Sequence, residues 1–484
     1  MAETKPEPSA AEEANPLYET RPRHAGLLFH ISSLPGPFGI GDLGKEARAF
    51  ADFLAETGCG LWQILPLGPT GFGNSPYAAR SSFAGNELFI SPELLAEEGW
   101  LKEDGLEALK AAFASGGSAA GASVDYGLVE AKKLPLLKKA AAAFLGGPPS
   151  AREEYAAFCG RERFWLDDYA LFRVLCEKYR DARWHTVWDT PLAKRDKDAV
   201  EKIRAAKADE IDQWKVLQWF FERQWNDLKS YVNGRGIKIV GDIPIFAAPD
   251  SVDAWSHIEL FRTGNDGRYS VVSGVPPDYF SPTGQLWGNP IYDWDKMKEQ
   301  GYSWWIARIK RLLEQVDIFR IDHFRGFDAY WAVPAGNPTA EHGAWERGPG
   351  PEFFNALRAA LGDLPVIAED LGFMTGGVKR LRDGQGFPGM KVCQFGFEEI
   401  KGGILDPRHL FLPHNYSYNW AAYTGTHDND TTAGWYEKLD TADKHTVAEY
   451  LNAVRPGTAA LRGLPSGAET AWAMIRAVSA SHAR

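Results

Sequence analysis

The chain has 484 residues, with 53 Lys and Arg against 64 Asp and Glu, for a formal net charge of −11 at pH 7. That acidic balance argues against a surface built to neutralise phosphates, so no nucleic-acid partner is expected, and no apolar run approaches the roughly 20 residues of a membrane span. With 44% hydrophobic residues the chain can bury a large core, and its 13% aromatics offer flat faces to sugar rings as well as filling that core.

Residues 1–20 are rich in Glu, Ala and Pro with no apolar stretch, so they are expected to form a disordered acidic tail and not a signal peptide. Beyond it, seven short apolar runs end in polar or charged residues, the pattern of buried parallel strands that feed functional loops at their C-terminal ends. In chain order they are Gly26–Pro35, Leu61–Leu67, Lys238–Ala248, Asp317–Phe324, Pro365–Gly372, Gly389–Phe397 and Trp420–Asp430. A helical pattern at Lys45–Thr57 places Ala49, Phe50, Phe53 and Leu54 on one face. Helical spacing dominates about 96–235, as in Leu106, Leu109 and Phe113 or Leu217, Phe220, Phe221 and Trp225, which predicts a helical insertion.

About 249–302 is rich in Pro, Gly, Asp and aromatics and too long for a plain connection, so an ordered active-site loop is expected there. Ser466 and Glu469, in capping-box spacing, open a last helix to about Ala480. Strands alternating with helices predict an α/β fold, a (β/α)8 TIM barrel over 21–484, whose eighth strand and helix are missing from this count. The cysteines Cys59, Cys159, Cys176 and Cys393 are scattered with no zinc spacing, so reduced thiols in a cytoplasmic protein are expected. No motif calls for a metal or an organic cofactor, and none specifies an oligomeric state. The Gly-rich segment Gly68–Asn74 lacks the Lys and helix start of a phosphate loop and reads as a turn displaying Ser75, Pro76 and Tyr77.

Three predicted strands end in carboxylates: Asp322, followed by His323, Glu369 with Asp370, and Asp428 after His427. Barrel strands converge at their C-terminal ends, and retaining glycoside chemistry needs a carboxylate nucleophile and a protonated acid about 5–5.5 Å apart. Arg320, two residues before Asp322, shares its face and would keep Asp322 ionised, as a nucleophile must be. Crowding among carboxylates is expected to raise the pKa of Glu369 toward that of a general acid, and Asp428 is placed to bridge sugar hydroxyls as positive charge develops. Asp242, ending the third run, either binds sugar or pairs with Arg320. For any one of these acids, capping a helix or pairing with a barrel Arg is as good an explanation; three on convergent strands favour chemistry.

Longer segments then carry a resemblance. Ser32–Gly44, Trp62–Tyr77, Trp165–Phe172, Gly241–Trp255, Gly274–Trp294, Arg320–Trp331, Ala368–Gly372 and Tyr423–Tyr436 together resemble the amylomaltases, the 4-α-glucanotransferases or disproportionating enzymes related to the α-amylases. The resemblance covers about 24–480, and the Gly274–Trp294 loop is the part not shared with amylases in general. It implies that Asp322 is the nucleophile, Glu369 the acid/base and Asp428 the transition-state stabiliser. It further implies that Arg320, Asp242, His323, Asp370 and His427 line the donor side, and that Ser75, Tyr77, Gln285 and Trp287 touch glucan near the cleavage point. The implied partners are α-1,4-glucans and glucose. Two positions depart from the family pattern: Ala78 stands where Gln is usual and Phe72 where Tyr is frequent. The family's eighth strand and a following substrate-contacting loop have no counterpart before residue 484, so a truncated chain is expected. A retaining hydrolase and an inactive glucan-binding protein remain the competing readings.

Overall fold

The computed structural model describes residues 23–114, 123–265, 267–278, 281–400, 402–454, 461 and 463–483; the predicted tail at 1–20 lies outside them. Its strands are β1 (Gly26–Leu28), β2 (Leu61–Gln63), β3 (Lys238–Pro244), β4 (Val271–Val275), β5 (Gln285–Pro290), β6 (Ile318–Asp322), β7 (Ala329–Pro334), β8 (Ala344–Arg347), β9 (Val366–Ala368), β10 (Gly389–Val392) and β11 (Trp420–Tyr423). Each of the seven predicted runs contains a strand, though a shorter one. The reason is plain at β6, where His323 takes φ of 50° and so cannot continue an extended chain past Asp322.

By their contacts the described residues divide into two units, one within Phe29–Asp322 and Gly326–Pro365, the other made of 23–28, His323–Arg325 and those from Val366 to 483. In the larger unit β2, β3 and β6 form parallel ladders, with Leu61 opposite Lys238 and Asp242 opposite Arg320. Ile239, Val240 and Phe319 are buried, as a parallel strand covered on both faces requires. Among its described residues from 92 to 233 this unit is predominantly helical. Helix Ala208–Asn233 buries Trp214, Leu217, Phe220, Phe221 and Trp225, and its buried Glu222 is gripped by both terminal nitrogens of Arg311, at 3.1 and 2.6 Å.

Helix Lys45–Glu56 differs from the predicted face. Ala47, Ala51 and Leu54 are buried whereas Ala49 and Phe53 are exposed. Phe50 packs sideways instead, stacking on Phe29 at 5.0 Å and meeting Trp62 edge-on, so the apolar arc is shared between two neighbours. The segment about 249–302 is also more regular than a loop. β4 and β5 pair antiparallel and join β7 and β8 in a sheet of order β5-β4-β7-β8. Gly284, at φ 69°, makes the approach to β5 possible, since a Cβ there would lie 2.4 Å from the Val275 carbonyl oxygen.

In the smaller unit β10 and β11 run parallel, Gly389 opposite Trp420, and Ala368 in β9 donates its N–H to the Pro388 carbonyl at 2.8 Å. Among the described residues after β11 there are helices Thr432–Lys438, Thr441–Ala453 and Gly467–Ser479 and no further strand. Their inner residues Tyr436, Val447, Leu451, Met474 and Ala477 pack with Cys393 and Phe397. The last helix carries the predicted reciprocal cap between Ser466 and Glu469. All four cysteines are free thiols, and among the described residues no helix is long and apolar enough to cross a membrane.

Candidate active site

In the larger unit the register of β3 on β6 sets the geometry. Asp242 lies opposite Arg320, and Pro244 opposite Asp322, so alternation brings all three charged side chains to one face. Arg320 spends one terminal nitrogen on both oxygens of Asp242, at 3.0 and 2.8 Å, and the other on Asp322 at 2.7 Å. Asp242 is fully enclosed while the Asp322 side chain keeps 31% of its exposure, so the outer carboxylate is the one a substrate can reach. Burial, with Asp322 adding to it, pushes the Asp242 carboxyl up to about 7 against the pull of Arg320.

Tyr77 donates its hydroxyl to Asp242 at 2.7 Å, and burial together with that carboxylate holds the phenol well above its ordinary value, so it remains a donor. Ser75 accepts the Tyr77 N–H at 3.2 Å and caps the short turn Pro76–Ala78 that delivers the ring. Tyr77 thus braces the enclosed carboxylate, and Ser75 braces Tyr77. On β5 the Trp287 indole N–H donates to the Gln285 side-chain oxygen at 3.3 Å, and Trp287 leaves 39% of its surface open. Arg308, which sequence patterning did not single out, is buried and donates to the carbonyls of Pro244 at 2.7 Å and Ile245 at 3.2 Å, fixing the end of β3. Its only signal in the sequence is an Arg on the apolar face of Ser303–Gln315.

In the smaller unit Glu369 follows β9 directly. One of its oxygens accepts the His323 N–H at 2.8 Å and the other the Leu371 N–H at 2.7 Å. Asp370 is turned inward, accepting the Met390 N–H at 2.8 Å and pairing with Arg382, whose guanidinium lies 4.4 Å over the Trp420 ring. Its carboxylate thus anchors β10. Asp428 stands on the loop after β11 with its side chain 66% exposed and His427 Nε2 at 3.4 Å from its carboxylate. Asn429 braces the loop from within, accepting from the Thr426 N–H at 3.0 Å and hydroxyl at 3.1 Å. Among the described residues no group of three or more His, Cys, Asp or Glu is arranged to hold a metal ion.

Burial and the Arg325 charge push the His323 imidazole down to about 3, so it is neutral. An unfolded His titrates near 6.5, so between these values the unfolded chain takes a proton that the folded chain refuses. The stability tied to His323 is therefore complete above about pH 6.5 and is lost as pH falls, by at most about 1.4 kcal/mol per unit. His323→Asn, which tolerates the left-handed backbone, should lose less melting temperature between pH 7 and 5 than the parent. Equal losses would contradict this account of the imidazole.

A model of the family described as 4-alpha-glucanotransferase matches residues 29–484. The chain belongs to that family. It is 48% identical over 434 residues to the 4-alpha-glucanotransferase of Thermus thermophilus, covering 89% of this chain and 83% of that protein. The Synechocystis 4-alpha-glucanotransferase is likewise 48% identical, over 89% and 84% of the two chains. The solved amylomaltase from Streptococcus agalactiae in complex with acarbose is 39% identical and superposes with a TM-score of 0.85, over 96% of this chain and 88% of that one. The amylomaltase from Corynebacterium glutamicum, 22% identical with a TM-score of 0.70 over 89% of this chain and 60% of its own, shares the fold. The family fold accommodates the α/β pattern predicted from the apolar runs.

Proposed function

We propose that this chain is a retaining 4-α-glucanotransferase that takes a segment from an α-1,4-glucan and hands it to the 4-hydroxyl of glucose or of another α-1,4-glucan. The observation that carries it is Arg320 held between a buried Asp242 and an accessible Asp322. A guanidinium locked by one carboxylate keeps the other ionised and aimed, which is what a nucleophile at an anomeric carbon needs. Membership of the 4-alpha-glucanotransferase family and the acarbose complex of the Streptococcus agalactiae amylomaltase support the substrate class.

In this mechanism Glu369 gives its proton to the glycosidic oxygen while Asp322 attacks the anomeric carbon, forming a β-linked glycosyl ester and freeing glucose or a shorter glucan. Glu369, now a carboxylate, takes the proton from the acceptor 4-hydroxyl, which attacks the anomeric carbon of the ester; the bond from that carbon to the Asp322 oxygen breaks, and two inversions restore the α-configuration. Asp428 bridges sugar hydroxyls as charge builds, and His427 beside it orients that carboxylate. Arg320, Asp242, His323 and Asp370 shape the donor side. Ser75 and Tyr77 support it from the turn, and Gln285 and Trp287 on β5 belong to a cover that admits a glucan acceptor and excludes water. The four free thiols fit a cytoplasmic enzyme.

Incubation with maltotriose tests the function. Glucose together with a ladder of maltooligosaccharides longer than the substrate is expected; glucose and maltose with no ladder would mean hydrolysis.

A further inference from the structure

We infer that Gln394 is the positioning residue for Asp428: its backbone N–H holds the near end of the loop that carries it, and its buried side-chain amide holds the far end. The inference rests on the stabilising role proposed for Asp428. Gln394 follows β10 and is 3% exposed, too enclosed to meet a substrate. Its backbone N–H donates to the Thr424 carbonyl at 3.1 Å, extending the β10–β11 ladder to the first residue of the loop. Its side-chain nitrogen donates to the Asp430 carbonyl at 3.1 Å and to the Thr432 hydroxyl at 3.3 Å, at the loop's far end. Both protons of the amide are thereby used, and they reach the two residues that flank the start of helix Thr432–Lys438.

Gly425 completes the clamp. A Cβ at that position would meet the Gln394 amide at 3.1 to 3.3 Å, so the amide lies flat against the backbone two residues before His427. Between these anchors, Asp428 has little of its own to fix it. Its N–H donates to the Thr426 hydroxyl at 3.3 Å, and its largely exposed carboxylate meets His427 at 3.4 Å. A group that must bridge two sugar hydroxyls has to be placed before the substrate arrives, and a displacement of about 1 Å costs on the order of 100-fold in rate. Glutamine has the chain length and the two donors for this task. Glutamate has the same shape but would set a carboxylate oxygen against the Asp430 carbonyl.

The test is kinetic, with maltotriose as substrate. Gln394→Met, which keeps the volume and removes the donors, should lower kcat by about 10- to 100-fold with KM changed by less than about threefold. Gln394→Glu should be slower still at pH 8 and should recover relative to the parent as pH falls toward 5, because the protonated acid regains one donor. Gly425→Ala, which leaves the amide in place but presses on it, should reproduce the loss of kcat, and in a Gln394→Ala background its further effect should be small. It also keeps the inference testable if the Gln394 variants do not fold. Folded Gln394→Met and Gly425→Ala proteins with kcat within twofold of the parent would overturn it. Asp428→Asn is assayed alongside: if that variant is fully active, the proposed role of Asp428 is what fails.

Discussion

Asp322→Ala is expected to abolish glucan transfer, with kcat on maltotriose falling by about 10⁴-fold or more, the scale seen when a covalent nucleophile is removed. Without the carboxylate no glycosyl ester forms, and Glu369 has only half a reaction to assist. Glucan binding should persist, because Arg320 keeps its bonds to Asp242 and the turn bearing Tyr77 is untouched. Initial rates and calorimetric titration with a maltooligosaccharide separate the two effects. A variant that turns over near the parent rate would remove Asp322 from the role given to it.

Asp242→Ala should act mainly on stability. It strands the buried Arg320 guanidinium with Asp322 as its remaining acidic partner in that cluster and takes away the acceptor of the Tyr77 hydroxyl. Breaking a buried pair from one side costs about 3–5 kcal/mol, because the uncompensated charge stays behind. Urea unfolding should show that loss. Transfer should also slow, since Arg320 is then free to draw Asp322 out of line. A midpoint unchanged within error would mean that Arg320 finds its support elsewhere.

Much of this was legible in the sequence because burial on both faces writes itself as unbroken apolar runs. Ile239–Val240 and Val366–Ala368 could hardly be anything but covered strands, and the acids after them mark where each run stops being apolar. The Arg320–Asp322 pairing followed from period-two alternation alone, and the Ser466–Glu469 cap from its three-residue spacing. The antiparallel sheet of β4, β5, β7 and β8 was not legible, since its strands are short, hold Gly and Pro, and bury only part of one face, so no periodicity survives. The inward face of Lys45–Glu56 was misjudged because an aromatic that packs sideways counts as apolar without being buried. Asp370 and Glu369 are neighbours with opposite fates, one turned in to Arg382 and the other held by two backbone N–H groups. No local pattern separates them. Gln394 left no signal either, because a clamp made of one amide and a distant loop is defined only by the fold.

The central claim is that the glucan is carried as an ester on Asp322, and trapping that ester tests it most directly. Glu369→Gln, incubated with an α-maltosyl fluoride whose leaving group needs no protonation, should accumulate the glycosyl-enzyme, because the acceptor is no longer activated. Peptide mass spectrometry is then expected to find one maltosyl unit on the peptide containing Asp322. An adduct on any other carboxylate, or fluoride released with inverted product and no adduct, would contradict the account.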